Sequence, residues 1–207
     1  MSDPHAIRTV EALREVIDAP NERIKVKLFE HVDDYARAFI ARAPLAFLAT
    51  ADADGRMDVS PKGDAPGFVI VEDANTLLVP DRPGNHLAYG FLNIVSRPQV
   101  ALIFVVPGVT ETLRINGRAT ITKDPRVLDR LAAHGKPAVL ATRIHVEECF
   151  FHCGKAFIRS SAWQPETWQA GVKANIGKQL AARMAEGEEM AAAVEANLEK
   201  SYRETLY

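Results

Sequence analysis

The chain has 207 residues, 47% hydrophobic and 25% charged, which suits a folded domain and excludes a disordered or fibrous chain. Lysine plus arginine number 25 against 27 aspartate plus glutamate, so the basic excess that a nucleic-acid binder needs is missing. The longest strongly apolar run, Val100 to Val106, falls far short of the roughly 20 residues that cross a bilayer, and Met1 to His5 has no basic-then-apolar leader pattern; a cytoplasmic protein with no nucleic-acid and no membrane partner is expected.

Ile7, Val10, Leu13 and Val16/Ile17 recur at helical spacing and predict a short amphipathic helix over 6–17, closed by Ala19-Pro20-Asn21. A second helix is predicted over about 33–42, with Val32, Tyr35, Ala36, Phe39 and Ile40 on one face. From Leu45 the pattern changes. Leu45 to Ala51 reads as a strand, Asp52-Ala53-Asp54-Gly55 as a hairpin turn, and Arg56 to Ser60 as the returning strand. Phe68 to Val71 and Thr76 to Pro80 form a second hairpin around Glu72-Asp73-Ala74-Asn75. His86 to Arg97 predicts a helix through Leu87, Phe91, Leu92 and Val95, and the continuous apolar run Val100 to Val106 predicts a buried strand.

Thr112 to Thr122 reads as a long strand in which Asn116-Gly117 marks either a turn or, as a long barrel strand favours, a bulge. Asp124-Pro125 supplies an N-cap and a first-turn proline for a helix that Gly135 ends, and Ala138 to His152 returns to strand. Pro165 to Tyr207 carries Val172, Ile176, Leu180 and Met184 four apart, then Val194, Leu198 and Tyr202, and predicts one or two helices broken at Gly187. Such a stripe packs on the domain or on a partner subunit. The fold class is mainly β with α inserts, which favours a small antiparallel barrel over a doubly wound sheet.

Two loops carry the chemistry. In Val79-Pro80-Asp81-Arg82-Pro83-Gly84-Asn85-His86 a strand ends in a tight loop and a helix is expected to begin directly after Asn85. Free N–H groups at a helix start attract an anion, Arg82 adds a guanidinium fork suited to phosphate oxygens, and Asn85 serves as N-cap or ligand. The same residues also make an ordinary surface turn. In Arg56-Met57-Asp58-Val59-Ser60-Pro61-Lys62-Gly63-Asp64 a strand presents its backbone to a planar ligand, with Ser60 and a second cation, Lys62, beside a Pro/Gly turn.

Together with Ala49-Thr50-Ala51-Asp52-Ala53-Asp54-Gly55-Arg56 before them, these segments resemble the pyridoxamine 5′-phosphate oxidase-related family of FMN-binding split barrels, over roughly Asp33 to Trp163. The resemblance implies an N-terminal helical segment (1–32), an FMN-binding split-barrel domain (33–163) and a C-terminal helical extension (164–207). It further implies a homodimer holding FMN at the subunit interface, and a small-molecule substrate. The strand through Arg56, Met57, Asp58, Val59 and Ser60 would lie along the flavin ring. Lys62, Asp81, Arg82, Pro83, Gly84 and Asn85 would surround the ring edge and the ribityl phosphate, with Arg82 as the central ligand. His152-Cys153-Gly154-Lys155 and Arg159-Ser160-Ser161-Ala162-Trp163 resemble a segment that returns side chains toward the flavin, which nominates Lys155, Arg159 and Trp163; the two cations share a face if the stretch is helical.

Only two cysteines occur, Cys149 and Cys153, so no disulfide framework is expected and a reducing compartment fits. With His145 and His152 they do not make a zinc site, because a single strand splays them to both faces; no metal is expected. The vitamin-converting oxidases of the family end in a segment where Trp, Arg and His grip pyridoxal phosphate, and the Ala-rich C-terminal stretch here has no such segment. An FMN-dependent oxidoreductase of unidentified substrate is therefore expected, since the flavin carries the redox chemistry and no acid–base dyad stands out. The alternatives are a flavin- or haem-binding protein without turnover and a deazaflavin-dependent reductase.

Overall fold

The alternation that begins at Leu45 is realised as a single antiparallel sheet in a computed structural model that describes residues 3–207; positions 1–2 of the expected N-terminal segment lie outside the described residues. Its strands are β1 (Leu45–Ala51), β2 (Met57–Gly63), β3 (Ile70–Asp73), β4 (Thr76–Pro80), β5 (Gln99–Val105), β6 (Thr112–Thr122) and β7 (Ala141–His152), in the order β2-β1-β5-β6-β7-β4-β3. The sheet does not close. β2 and β3 are unpaired edges, yet the end of β2 and the loop after β4 meet through side chains, which gives a split barrel.

One core fills it. Leu48, Leu77, Leu102, Phe104, Leu113, Ile115, Ile144 and Val146 are buried from five strands, and helix α3 (Asp34–Ile40) closes one side with Ala36 and Ile40. Asp33 caps α3 by accepting the Ala36 N–H at 2.8 Å. A smaller cluster of Leu78, Val127, Leu131, Ala138 and Ala141 packs α5 (Pro125–Arg130) on the sheet. α5 has the expected Asp124 cap and Pro125 start, but ends at Arg130 rather than at Gly135; His134 and Gly135, both at positive φ, form a separate turn. Helix α4 (Tyr89–Ser96) buries Asn93 and Ile94 against β1, where the Asn93 amide donates to Thr50 Oγ1 at 3.0 Å.

The register of β6 on β7 shifts at Asn116/Gly117, where a bulge was expected, but the extra residue is Glu147 on the facing strand. Gly117 accommodates it, since a Cβ there would overlap the His145 carbonyl oxygen. Outside the barrel, α1 (Val10–Val16) and α2 (Glu22–Lys25) bury no residue, and α1 is shorter than the predicted 6–17. Phe29 ties this segment to β7 through mutual backbone hydrogen bonds with Cys149 at 3.0 and 2.7 Å. After β7 come α6 (Lys155–Ser160), α7 (Ile176–Arg183) and α8 (Glu188–Glu204); the break falls at Gly187 as expected, while Val172 lies before the helices. α7 and α8 pack on one another, with the Gly177 N–H donating to Glu195 Oε1 at 2.7 Å. No helix is long and apolar enough to cross a membrane among the described residues.

Candidate functional site

β2 is an edge strand, and its pleat sends Asp58, Ser60 and Lys62 to one face and Met57, Val59 and Pro61 to the other. The inward set forms one wall of a cleft of about 620 Å³. The loop after β4 and the start of α4 form the opposite wall. That loop is held by backbone bonds, the Asp81 N–H to the Leu140 carbonyl at 2.8 Å and the Val139 N–H to the Asp81 carbonyl at 3.1 Å. The split between the two ends of the sheet is thus where the cleft opens.

Two ion pairs cross this split. Lys62 Nζ lies 2.9 Å from Asp81 Oδ1 and 5.2 Å from the centre of the Phe91 ring. Arg82 Nε lies 2.8 Å from Asp64 Oδ2, and Asp64 is almost fully buried, its side chain only 2% exposed. Burial by itself would push the Asp64 carboxyl up, but the Ala65 N–H, the Tyr207 hydroxyl and the Arg82 guanidinium outweigh it and hold the pKa below the ordinary carboxylate value. Neither Nη group of Arg82 makes a protein hydrogen bond among the described residues, so the four N–H donors of its fork are unused, and Arg82 is a lining residue of the cleft.

The expected helix start does not hold. Asn85 Oδ1 accepts the Leu87 N–H at 3.1 Å, but α4 begins only at Tyr89, with Ala88 as its uncapped N-cap. His86 (φ +63°) and Ala88 (φ +53°) adopt the left-handed conformation, costly for residues with a Cβ, and they interrupt the helical pattern read from sequence. The backbone of 81–88 therefore runs along the cleft as a loop, and the helix start expected directly after Asn85, with the anion site it implied, does not form there.

Of the residues nominated from sequence, Asp58, Ser60, Lys62, Asp81, Arg82, Pro83, Gly84 and Asn85 line the cleft together. Arg56 does not. Its N–H donates to Asp52 Oδ1 at 2.8 Å and its guanidinium reaches Asp54 at 2.9 Å, which closes the hairpin turn around Gly55. Met57 and Val59 point out of the barrel. Lys155 and Arg159 are exposed on α6, and Trp163 donates Nε1–H to the Val109 carbonyl at 2.8 Å and stacks on Phe157. None of Lys155, Arg159 and Trp163 is among the residues that line the cleft. One chain does not bring these three residues to the cleft.

The cleft also contains residues that the sequence reading left out. Gly90 faces Ser60 Oγ, Asp58 Oδ2 and Thr50 Oγ1, which a Cβ would meet at 3.8 to 4.0 Å. Gly84 has nothing nearer than 4.0 Å to such a Cβ, and neither glycine has positive φ. A Cβ at either position would meet only ordinary van der Waals contact, so the chain's own packing does not require glycine there. The slot is partly apolar, lined by aromatic Phe91, the paired cations Lys62 and Arg82, and hydroxyl and carboxylate groups on the strand. Asp64 and Tyr207 were not nominated, since their roles depend on a contact between distant segments. The two cysteines differ: burial, with the Asp33 charge nearby, pushes the Cys149 thiol up to about 11, while Cys153 is exposed. Among the described residues no cluster of His, Cys, Asp and Glu has metal-binding geometry.

Residues 32–153, more than half of the chain, match the family model for pyridoxamine 5′-phosphate oxidase. No curated protein matches. Among solved structures, HupZ of Group A Streptococcus is similar at 20% identity, covering 58% of this chain and 93% of that one with a TM-score of 0.48. A candidate pyridoxamine 5′-phosphate oxidase of Lactobacillus delbrueckii is 26% identical over 59% of this chain and 95% of its own, with a TM-score of 0.46. HutZ, the haem storage protein of Vibrio cholerae, is 16% identical over 58% and 93%, with a TM-score of 0.41.

Proposed function

Since the chain belongs to the pyridoxamine 5′-phosphate oxidase family, we propose that it is an FMN-binding flavoprotein and an oxidoreductase acting on a small molecule, built as a homodimer. Members of the family typically bind a flavin. The observation that carries the FMN reading is Arg82, anchored through Nε by buried Asp64 with both Nη groups left for the oxygens of a phosphate. Lys62, steered by Asp81 and the Phe91 ring, adds positive charge on the same side of the cleft.

The rest of the cleft supports the division of labour. Asp58 and Ser60 offer acceptors and a hydroxyl to a polyol chain, and Gly84 and Gly90 keep space for a flat ring beside Phe91. Bound FMN would supply the electron or hydride transfer. The protein's own groups bind and orient, and no side chain of the cleft is needed as a nucleophile.

The homodimer rests on the outward face of the β2-β1-β5 edge. Met57 and Val59 are 69% and 59% exposed there, opposite Ala51 and Ala49 of β1, and Phe47, paired with Pro61 and Ile103, continues the same face. Such a contiguous apolar strand face favours association. A partner could also bring Lys155, Arg159 and Trp163 to a flavin that their own chain holds out of reach.

The absorbance spectrum of the purified protein, before and after adding FMN, tests the reading. A flavin spectrum with saturable uptake is expected, and reduction of the bound flavin by a nicotinamide donor separates an oxidoreductase from a storage protein. Protein that takes up haem but no FMN would replace this function with the non-catalytic alternative.

A further inference from the structure

Tyr207 lies 143 positions from Asp64 in sequence, yet its hydroxyl donates to Asp64 Oδ1 at 2.9 Å. The Ala65 N–H donates to the same oxygen at 2.8 Å, so Oδ1 carries two donors and Oδ2 alone is left for Arg82 Nε. This occupancy decides how the guanidinium is held. A carboxylate with both oxygens open takes arginine side-on through two N–H groups, which consumes part of the fork that a phosphate would use. With Oδ1 filled, Asp64 holds Arg82 through Oδ2 and Nε alone.

Tyr207 is itself fixed. Lys136 Nζ donates to its carbonyl at 2.7 Å, and its ring lies 4.2 Å from that of His134, in the turn after α5. Among the described residues these are the hydrogen bonds that join the α7–α8 pair and the residues after it to the barrel. Tyr207 is thus where the C-terminal extension meets the barrel, reaching the cleft residue Arg82 only through Asp64.

We propose that Tyr207 is a positioning residue for Arg82: by filling Asp64 Oδ1 it keeps the Arg82 fork open to the cofactor phosphate, and docking of residues 205–207 and phosphate binding strengthen one another. The proposal rests on the FMN reading above. Linkage makes the coupling reciprocal, so whatever Tyr207 adds to FMN affinity, FMN adds to the docking of Tyr207.

The test compares FMN with riboflavin, which lacks the phosphate, by titrating full-length wild-type protein and Tyr207→Phe, a change that keeps the ring on His134. Tyr207→Phe should weaken FMN roughly three- to tenfold, the scale of part of one charge-assisted hydrogen bond, and leave riboflavin unchanged. On an Asp64→Asn background the same change should have no further effect on the FMN-to-riboflavin ratio. In wild-type protein, FMN but not riboflavin should slow amide hydrogen exchange at 205–207. An unchanged ratio in Tyr207→Phe, with wild-type protein binding FMN normally, would overturn the role of Tyr207 alone. Wild-type protein that binds neither flavin overturns the FMN reading and this proposal with it.

Discussion

Arg82 and Asp64 lie 18 positions apart, one just after β4, the last strand but one in the sheet, and the other just after the edge strand β2, and they join Nε to Oδ2 at 2.8 Å across the split of the barrel. The pair is a structural strut and, in the proposed function, the anchor of the phosphate. Removing one partner of a desolvated pair leaves the other charge without compensation, so the two roles can be separated by choosing which partner is removed.

Arg82→Ala should weaken FMN by about 1.5–3 kcal/mol, the weight of a charge-assisted hydrogen bond, and riboflavin much less. It should also lower stability by about 1–3 kcal/mol, because buried Asp64 keeps only the Ala65 and Tyr207 donors. Adding Asp64→Asn should recover part of the stability and none of the FMN affinity, as read by urea midpoints and flavin titration. Equal loss for FMN and riboflavin would contradict the phosphate role.

Asp64 and Tyr207 predict opposite pH limbs. The Asp64 pKa is lowered in the fold, so the unfolded chain binds more protons at acid pH; the stabilisation is complete above the unfolded value of about 3.9 and is lost as pH falls toward the folded one. The Tyr207 phenol is raised, chiefly by its hydrogen bond to Asp64, so its contribution is complete below about pH 10 and is lost as pH rises above that. Urea midpoints across both ranges should show Asp64→Asn flattening the acid limb and Tyr207→Phe the alkaline one. An acid limb unchanged in Asp64→Asn would show that other carboxylates dominate it.

Val59→Asp should disrupt the proposed dimer without unfolding the chain, since Val59 is exposed on the outer face of an edge strand. Sedimentation over a dilution series should show wild-type dimer and mutant monomer, with weaker FMN binding in the mutant if a partner completes the site. A wild-type monomer that binds FMN fully would rule this interface out.

Gly117→Ala tests the bulge. The added methyl meets the His145 carbonyl carbon at 3.0 Å and Val146 Cα at 3.3 Å as well as overlapping the His145 oxygen, all backbone atoms that cannot rotate away. A loss of about 3 kcal/mol or more in thermal or urea unfolding is expected, at the upper end for overpacking. Alanine at the wild-type midpoint would mean that the Glu147 bulge relaxes freely.

Much of the fold was legible because it is local. The alternation of β2, the Asp54-Gly55 turn, the Asp124-Pro125 helix start and the Gly187 break are each dictated by residues within a few positions of one another. The site was legible in residue type, since Arg82 stands in a loop with turn chemistry; Lys62, expected beside a Pro/Gly turn after Ser60, instead lies within β2, which stays paired with β1 as far as Gly63. The start of α4 was not legible: Leu87, Phe91, Leu92 and Val95 keep helical spacing, and nothing local announces that His86 and Ala88 turn left-handed against the cleft.

The sequence by itself determined most of the strands, the hairpin turn at Asp54-Gly55, and that Arg82 stands in a Pro/Gly-shaped loop, because these follow from backbone sterics and short-range periodicity. Only the tertiary structure decided that Lys62 pairs with Asp81 and Arg82 with Asp64, that Lys155, Arg159 and Trp163 do not line the cleft, and that Tyr207 shares the Asp64 carboxylate. Those outcomes depend on how the ends of an unclosed sheet approach and on where a helical pair far along the chain docks. Packing of the whole core sets both, and no window of neighbouring residues encodes either.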